Sequence, residues 1–180
     1  NIRTKSQIGV NIMTYYNPLI AYGLERFAAD AADAEADGLL VVDMPWEEGA
    51  EVTRLCETEN LDITYLVTPT TSAERIRKIG GLTTGFLYAV SVTGVTGARK
   101  DVSPDLRPFV ETVRSCTDVP VAVGFGISTP QQASEVAALA DGVVVGSALI
   151  KALSQSPETA AALCSELADA VHGAEKRTAL

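Results

Sequence analysis

Basic residues are scarce in this chain. Fourteen lysines and arginines stand against 23 aspartates and glutamates, leaving a net charge of −9 over 180 residues and a pI near 4.6. So acidic a surface repels phosphate backbones and anionic headgroups, which excludes nucleic acid and membrane surfaces from the expected partners. Histidine occurs once, at His172, a surface position near the end of the last helix. Cys56, Cys116 and Cys164 lie far apart, odd in number and in no C-x-x-C pair. No group of side chains has metal-ligand spacing, so no metal is expected, and the thiols read as buried and reduced, as in a cytoplasmic protein. Long apolar runs are missing too. The longest uncharged one, Val119 to Ile127, is interrupted by proline and glycine, and a bilayer span needs about 20 apolar residues.

What is present is a globular composition. Hydrophobic residues make up 47% and charged residues 21%, enough apolar surface for one sizeable core. Short β-branched runs recur at regular intervals: Ile8–Thr14, Gly38–Asp43, Ile63–Val67, Phe86–Val90, Val119–Val123 and Gly142–Val145. Such runs read as buried parallel strands. Amphipathic stretches separate them, with Leu24, Phe27, Ala28 and Ala31 on one helical face, Leu106, Phe109, Val110 and Val113 on another, and Leu163, Leu167 and Val171 on a third. Ser103-Pro104, Thr129-Pro130 and Ser156-Pro157 each set a capping hydroxyl before a proline, a helix-start signature. Strand and helix alternate six times without a linker, so residues 1–180 form a single α/β domain.

The last two units carry glycine loops after their strands, Gly124-Phe-Gly-Ile-Ser128 and Val145-Gly-Ser-Ala148. Glycine lets backbone N–H groups approach an anion closely, and a following helix adds partial positive charge. In (β/α)8 barrels, phosphate sits after strands 7 and 8. If these are those strands, the chain holds units 3 to 8 and lacks two at its front. Its polar opening, Asn1–Lys5, reads as mid-protein sequence, so a fragment is expected. Between Val90 and Lys100, two glycines among small hydroxyl residues suggest a lid.

These motifs together resemble the tryptophan synthase alpha chain family. The resemblance rests on Tyr88-x-x-Ser-x-x-Gly-Val-Thr-Gly97, Gly124–Ser128 and Gly146–Ala148. It also rests on Met13-Thr-Tyr-Tyr-Asn-Pro18 and Asp43-x-Pro-x-Glu-Glu48, in order along essentially the whole chain. It implies cleavage of indole-3-glycerol phosphate to indole and glyceraldehyde 3-phosphate, without a cofactor of this chain's own. Pyridoxal phosphate belongs to the expected beta-subunit partner, and Asn17-Pro18 and Pro45 match loops near that partner. By the same resemblance Gly97, Gly126, Gly146 and Ser147 bind phosphate. Tyr15 and Phe125 lie near the indole ring, Tyr88 near the glycerol hydroxyls as a possible auxiliary group, and Thr96 in the lid.

The family's two catalytic carboxylates sit on its second strand and the following loop, upstream of this sequence. No residue here is assigned either role, and the chain alone is expected to be inactive. Asp43 reads as a strand-end residue bonding to a neighbouring loop, and Glu47 and Glu48 as opening a helix. Where the family often has arginine four residues after Tyr88, this chain has Val92. The alternatives are a non-catalytic sugar-phosphate-binding or regulatory barrel, or another phosphate-binding barrel enzyme of amino-acid biosynthesis.

Overall fold

The computed structural model describes residues 2–91, 104–124 and 126–174. The strands are β1 (Asn11–Thr14), β2 (Gly38–Val41), β3 (Asp62–Thr64), β4 (Leu66–Val67), β5 (Leu87–Val90), β6 (Val121–Gly124) and β7 (Gly142–Val144). The helices are α1 (Tyr16–Tyr22), α2 (Leu24–Asp33), α3 (Ala50–Thr58), α4 (Ala73–Leu82), α5 (Leu106–Arg114), α6 (Pro130–Ala137), α7 (Ser147–Leu153) and α8 (Pro157–His172). Every pairing is parallel and between neighbours in sequence, in the orders β1-β2-β3 and β4-β5-β6-β7.

The third apolar run is one expected strand but two observed ones. β3 pairs with β2, β4 pairs with β5, and Tyr65 lies between them. A twisted, curving parallel sheet staggers its neighbours, so one run serves its two partners at different heights. Tyr65 joins the halves: its carbonyl accepts from the Tyr88 N–H at 2.9 Å, and its hydroxyl bonds that of Thr53 in α3 at 2.8 Å. The six expected units are therefore all present along one arc.

Alternation along the strands separates two faces. Leu39, Val41, Ile63, Leu87, Ala89, Val121 and Val123 face the helices and share one cluster with Val52, Ile76, Phe109, Val110, Val113 and Val136. Leu87, Ala89, Val113 and Val123 have no exposed surface, and full burial of a leucine or valine side chain contributes about 1.5–3 kcal/mol. The other face carries Met13, Leu40 and Thr64 in register, then Leu66, Tyr88 and Ala122. There Met13 is 57% exposed while Tyr88 is 7% exposed.

Several boundaries differ from the expected ones. β1 starts at Asn11 because the Val10 N–H donates to the Asp37 carboxylate at 2.5 Å rather than to a strand. That carboxylate also binds the Arg3 guanidinium, and both donors hold Asp37 below the usual carboxylate range. β6 starts after Pro120, with the Val121 N–H held by Asp141 at 3.0 Å. Helix α5 begins at Leu106, preceded by Asp105, and Ser103 lies outside the described residues. Glu47 and Glu48 form a short 3-10 turn with Trp46 ahead of α3 rather than opening the helix itself. The other two caps form as expected: Thr129 builds a reciprocal capping box with Gln132, and Ser156 accepts from the Thr159 N–H at 3.0 Å. His172 ends α8 and is exposed.

The thiols correct a second expectation. Cys56 is buried, Cys116 half-buried and Cys164 exposed, all three free. Cys164 lies in α8 at the edge of the stripe of Leu163, Leu167 and Val171, on the side open to solvent. Burial, with the nearby Glu57 charge, pushes the Cys56 thiol up to about 11. At pH 8 a thiol reagent should therefore modify Cys164 quickly in the folded chain and Cys56 only after denaturant is added. Peptide mass mapping over time checks this, and equal native rates would show that α3 does not pack as described.

Candidate functional site at the C-terminal rim

Parallel pairing carries every strand's C-terminal end to one rim. β6 ends there at Gly124, whose carbonyl accepts from both the N–H and the hydroxyl of Ser91, each at 3.0 Å. The Tyr88 ring lies directly against Gly124. A Cβ added at 124 would meet Tyr88 Cε2 at 2.6 Å and Val144 Cβ at 2.8 Å. Burial raises the Tyr88 pKa above its ordinary value, so the phenol is neutral at pH 7. Its hydroxyl has no hydrogen-bond partner among the described residues.

Beyond β6, Gly126 has φ +78°, a conformation that favours glycine. The next residues are pinned to α6, for Gln132 Oε1 accepts from the Ser128 N–H at 2.9 Å and the Ser128 hydroxyl at 3.2 Å. Gln132 is only 6% exposed, so this loop is held firmly. One strand over, Gly146 precedes α7 and Ser147 begins it. A Cβ at Gly126 or at Gly146 would meet nothing within 4 Å. Both backbones are thus open to close approach at neighbouring strand ends, and the Ser147 hydroxyl has no partner among the described residues.

Other expected positions spread along the same rim. Tyr15 follows β1 and is 62% exposed, three strand positions from Tyr88. The Asp43 carboxylate accepts from the Tyr16 N–H at 2.7 Å, the loop-bonding role read from its place after the strand. Gly97, Thr96, Phe125 and Val92 lie outside the described residues. Among the described residues no group of three or more histidine, cysteine, aspartate or glutamate side chains is placed to hold a metal ion. No described helix is long and apolar enough to cross a membrane.

Two cavities were not read from the sequence. A groove of about 590 Å³ runs from Ser128 and Ser147 between α7 and α8, past Lys151, Gln155, Thr159 and Glu166. A smaller pocket of about 300 Å³ lies beside the loop after β2, lined by Asp43, Met44, Trp46, Tyr65, Thr71 and Arg75 among others. There Arg75 pairs with Glu47 at 2.6 Å and sits 5.8 Å from the Trp46 ring centroid. The groove gathers Ser128 with α7 and α8, and the pocket gathers the loop after β2 with Tyr65 and α4, placements that spacing along the chain does not reveal.

Six parallel βα units with glycine-bearing strand ends on one rim define a protein of the (β/α) barrel class. Comparison with known proteins agrees. The profile of the family described as "Tryptophan synthase alpha chain" matches residues 1–179, and the chain belongs to that family. The tryptophan synthase alpha chain of Geobacter sulfurreducens is 53% identical over 150 residues, 83% of this chain and 57% of that protein. The Chloroflexus aggregans protein of the same name is 50% identical over 142 residues, 79% and 53%. Among solved structures, Mycobacterium tuberculosis tryptophan synthase superposes with a TM-score of 0.84 at 39% identity, over 91% of this chain and 62% of that one. Tryptophan synthase subunit alpha from Legionella pneumophila gives 0.82 at 36%, over 94% and 65%. The fold is thus a (β/α)8 barrel represented by six units, and the chain spans little more than half the length of the curated relatives it matches.

Proposed function

We propose that the protein containing this chain cleaves indole-3-glycerol phosphate to indole and glyceraldehyde 3-phosphate, working with a beta subunit that carries pyridoxal phosphate. The observation that supports this most directly is the pair of open backbones, Gly126 and Gly146, at adjacent strand ends beside the Ser147 hydroxyl. Backbone N–H groups and a hydroxyl gathered in this way suit a phosphate monoester. In this reading Gly126, Gly146 and Ser147 hold the phosphate together with Gly97 of the lid. Tyr88 meets the glycerol hydroxyls, Tyr15 and Phe125 flank the indole ring, and Thr96 helps the lid close.

The chemistry is a retro-aldol step. A proton is delivered to the indole carbon being released, and a base removes the proton of the hydroxyl that becomes the aldehyde as the carbon–carbon bond breaks. Two carboxylates with separated pKa values perform such a step. None of the carboxylates on this rim is assigned to it, Asp43 being engaged with Tyr16. In this reading the acid and the base belong to the family's second strand and the loop after it, which residues 1–180 do not include, so these residues alone bind without cleaving.

The test is indole release by the intact source protein with its beta subunit, run beside the 180-residue chain. Indole from the intact protein and none from the chain is the expected result. Glycerol 3-phosphate binding without cleavage by the intact protein would transfer support to the non-catalytic sugar-phosphate binder.

A further inference from the structure

We infer that Lys151, through the groove between α7 and α8, supplies the cationic charge for the phosphate group of the ligand. The inference rests on the phosphate reading above and adds to it a residue of a different chemical kind. The proposed phosphate donors are backbone amides and one hydroxyl, all uncharged, in a chain of net charge −9. Between Arg114 and Lys176 the sequence holds a single lysine or arginine, Lys151. The same interval holds seven acidic residues, Asp118, Glu135, Asp141, Glu158, Glu166, Asp169 and Glu175. A phosphate dianion held only by uncharged groups in so acidic a chain gains from a cation close by, and Glu166 lines the groove as an opposing charge.

Lys151 is placed to be that cation. It lies four residues after Ser147 in α7, so the two side chains share one helical face. Helical side chains lean toward the N-terminus, which carries the lysine stem toward Ser147 rather than away from it. Both residues, with Ser128, line the same groove. The Lys151 ammonium forms no ion pair among the described residues, although a carboxylate, Glu166, lines the groove from α8. The groove thus holds one cation and one competing anion, with the hydroxyls of Ser128, Ser147 and Thr159 around them. On binding, the flexible stem needs only a rotamer change to bring the ammonium to the phosphate. Glu166 offers the ammonium an alternative partner and repels the incoming dianion.

Three substitutions test this in the intact source protein, titrated with glycerol 3-phosphate and inorganic phosphate. Lys151→Met should weaken both by about tenfold at low salt, an ordinary value for one charge-assisted contact. Lys151→Arg should restore most of the loss. Glu166→Gln should tighten binding about twofold to fivefold. Raising the salt concentration should shrink the difference between wild type and Lys151→Met, because the contact is screened; a merely structural role for the side chain would not give that dependence. Wild-type binding with all three variants unchanged overturns the role of Lys151 and leaves the phosphate reading standing. No phosphate binding by the folded, intact wild-type protein overturns both.

Discussion

Gly124→Ala should lower stability by about 1–3 kcal/mol, the usual cost of forcing an extra carbon into a packed site. In a chain of this length that corresponds to a fall in Tm of roughly 3–10 °C. The cause is local. The new Cβ would stand 2.6 Å from Tyr88 Cε2 and 2.8 Å from Val144 Cβ, and on the β7 side it meets a branch point that has no flexible end to swing away. Tyr88 must then tilt or the β6–β7 pairing must open. A double-mutant cycle separates these outcomes. If the ring bears the strain, Gly124→Ala costs less in a Tyr88→Ala background than alone; strict additivity would mean that the two residues do not touch. Thermal unfolding of the four chains supplies the cycle.

Gly126→Val should weaken glycerol 3-phosphate binding several-fold or more, through a different mechanism. No atom lies within 4 Å of the added Cβ, so packing is not the obstacle. The obstacle is φ, at +78°, where a β-branched residue is a genuine outlier and the strain is about 1–3 kcal/mol. Either the loop keeps its shape and a branched side chain stands where backbone was open, or it relaxes and its N–H turns away. Both routes impair an anion contact. Gly126→Ala should fall between wild type and valine. Unchanged affinity in the valine variant would remove this loop from the phosphate site.

Much of this architecture is legible in the sequence because the sheet is parallel and covered. Strands buried beneath helices must be short apolar runs, and five of the six runs became single strands at nearly the expected places. The exceptions have local causes that a pattern of apolar residues does not carry. The first run becomes a strand only from Asn11 because Asp37, a residue 27 positions beyond Val10, takes the Val10 N–H on its carboxylate while its own N–H donates to the Val10 carbonyl. The Ile63–Val67 run divides because two neighbours need it at different heights, a property of the whole curved sheet. Cys164 looks like any other small residue in a helix until the partner of each face is known.

The candidate site was legible in a different way. The glycine loops stand out because glycine after a strand has few reasons to be there, and the rim holds both of them as expected. Tyr88 was readable as a strand residue near the mouth, whereas its contact with Gly124 required the β5–β6 register. Lys151 carried a signal that passed unused: it is the lone lysine or arginine in the last third of the chain before Lys176. Its meaning emerged only when α7 and α8 were seen to enclose a groove.

The pairing of each strand with its sequence neighbours has a kinetic consequence. Every strand–strand contact closes a loop of about one βα unit, and no described pairing joins distant parts of the chain. The entropy of loop closure is then met in small, similar steps, since the cost grows only slowly with loop length. Ordering can begin at any adjacent pair of units and spread outward, much as it does along a repeat array. Within the described sheet a unit such as that of β5, which pairs with both β4 and β6, gains support from two sides.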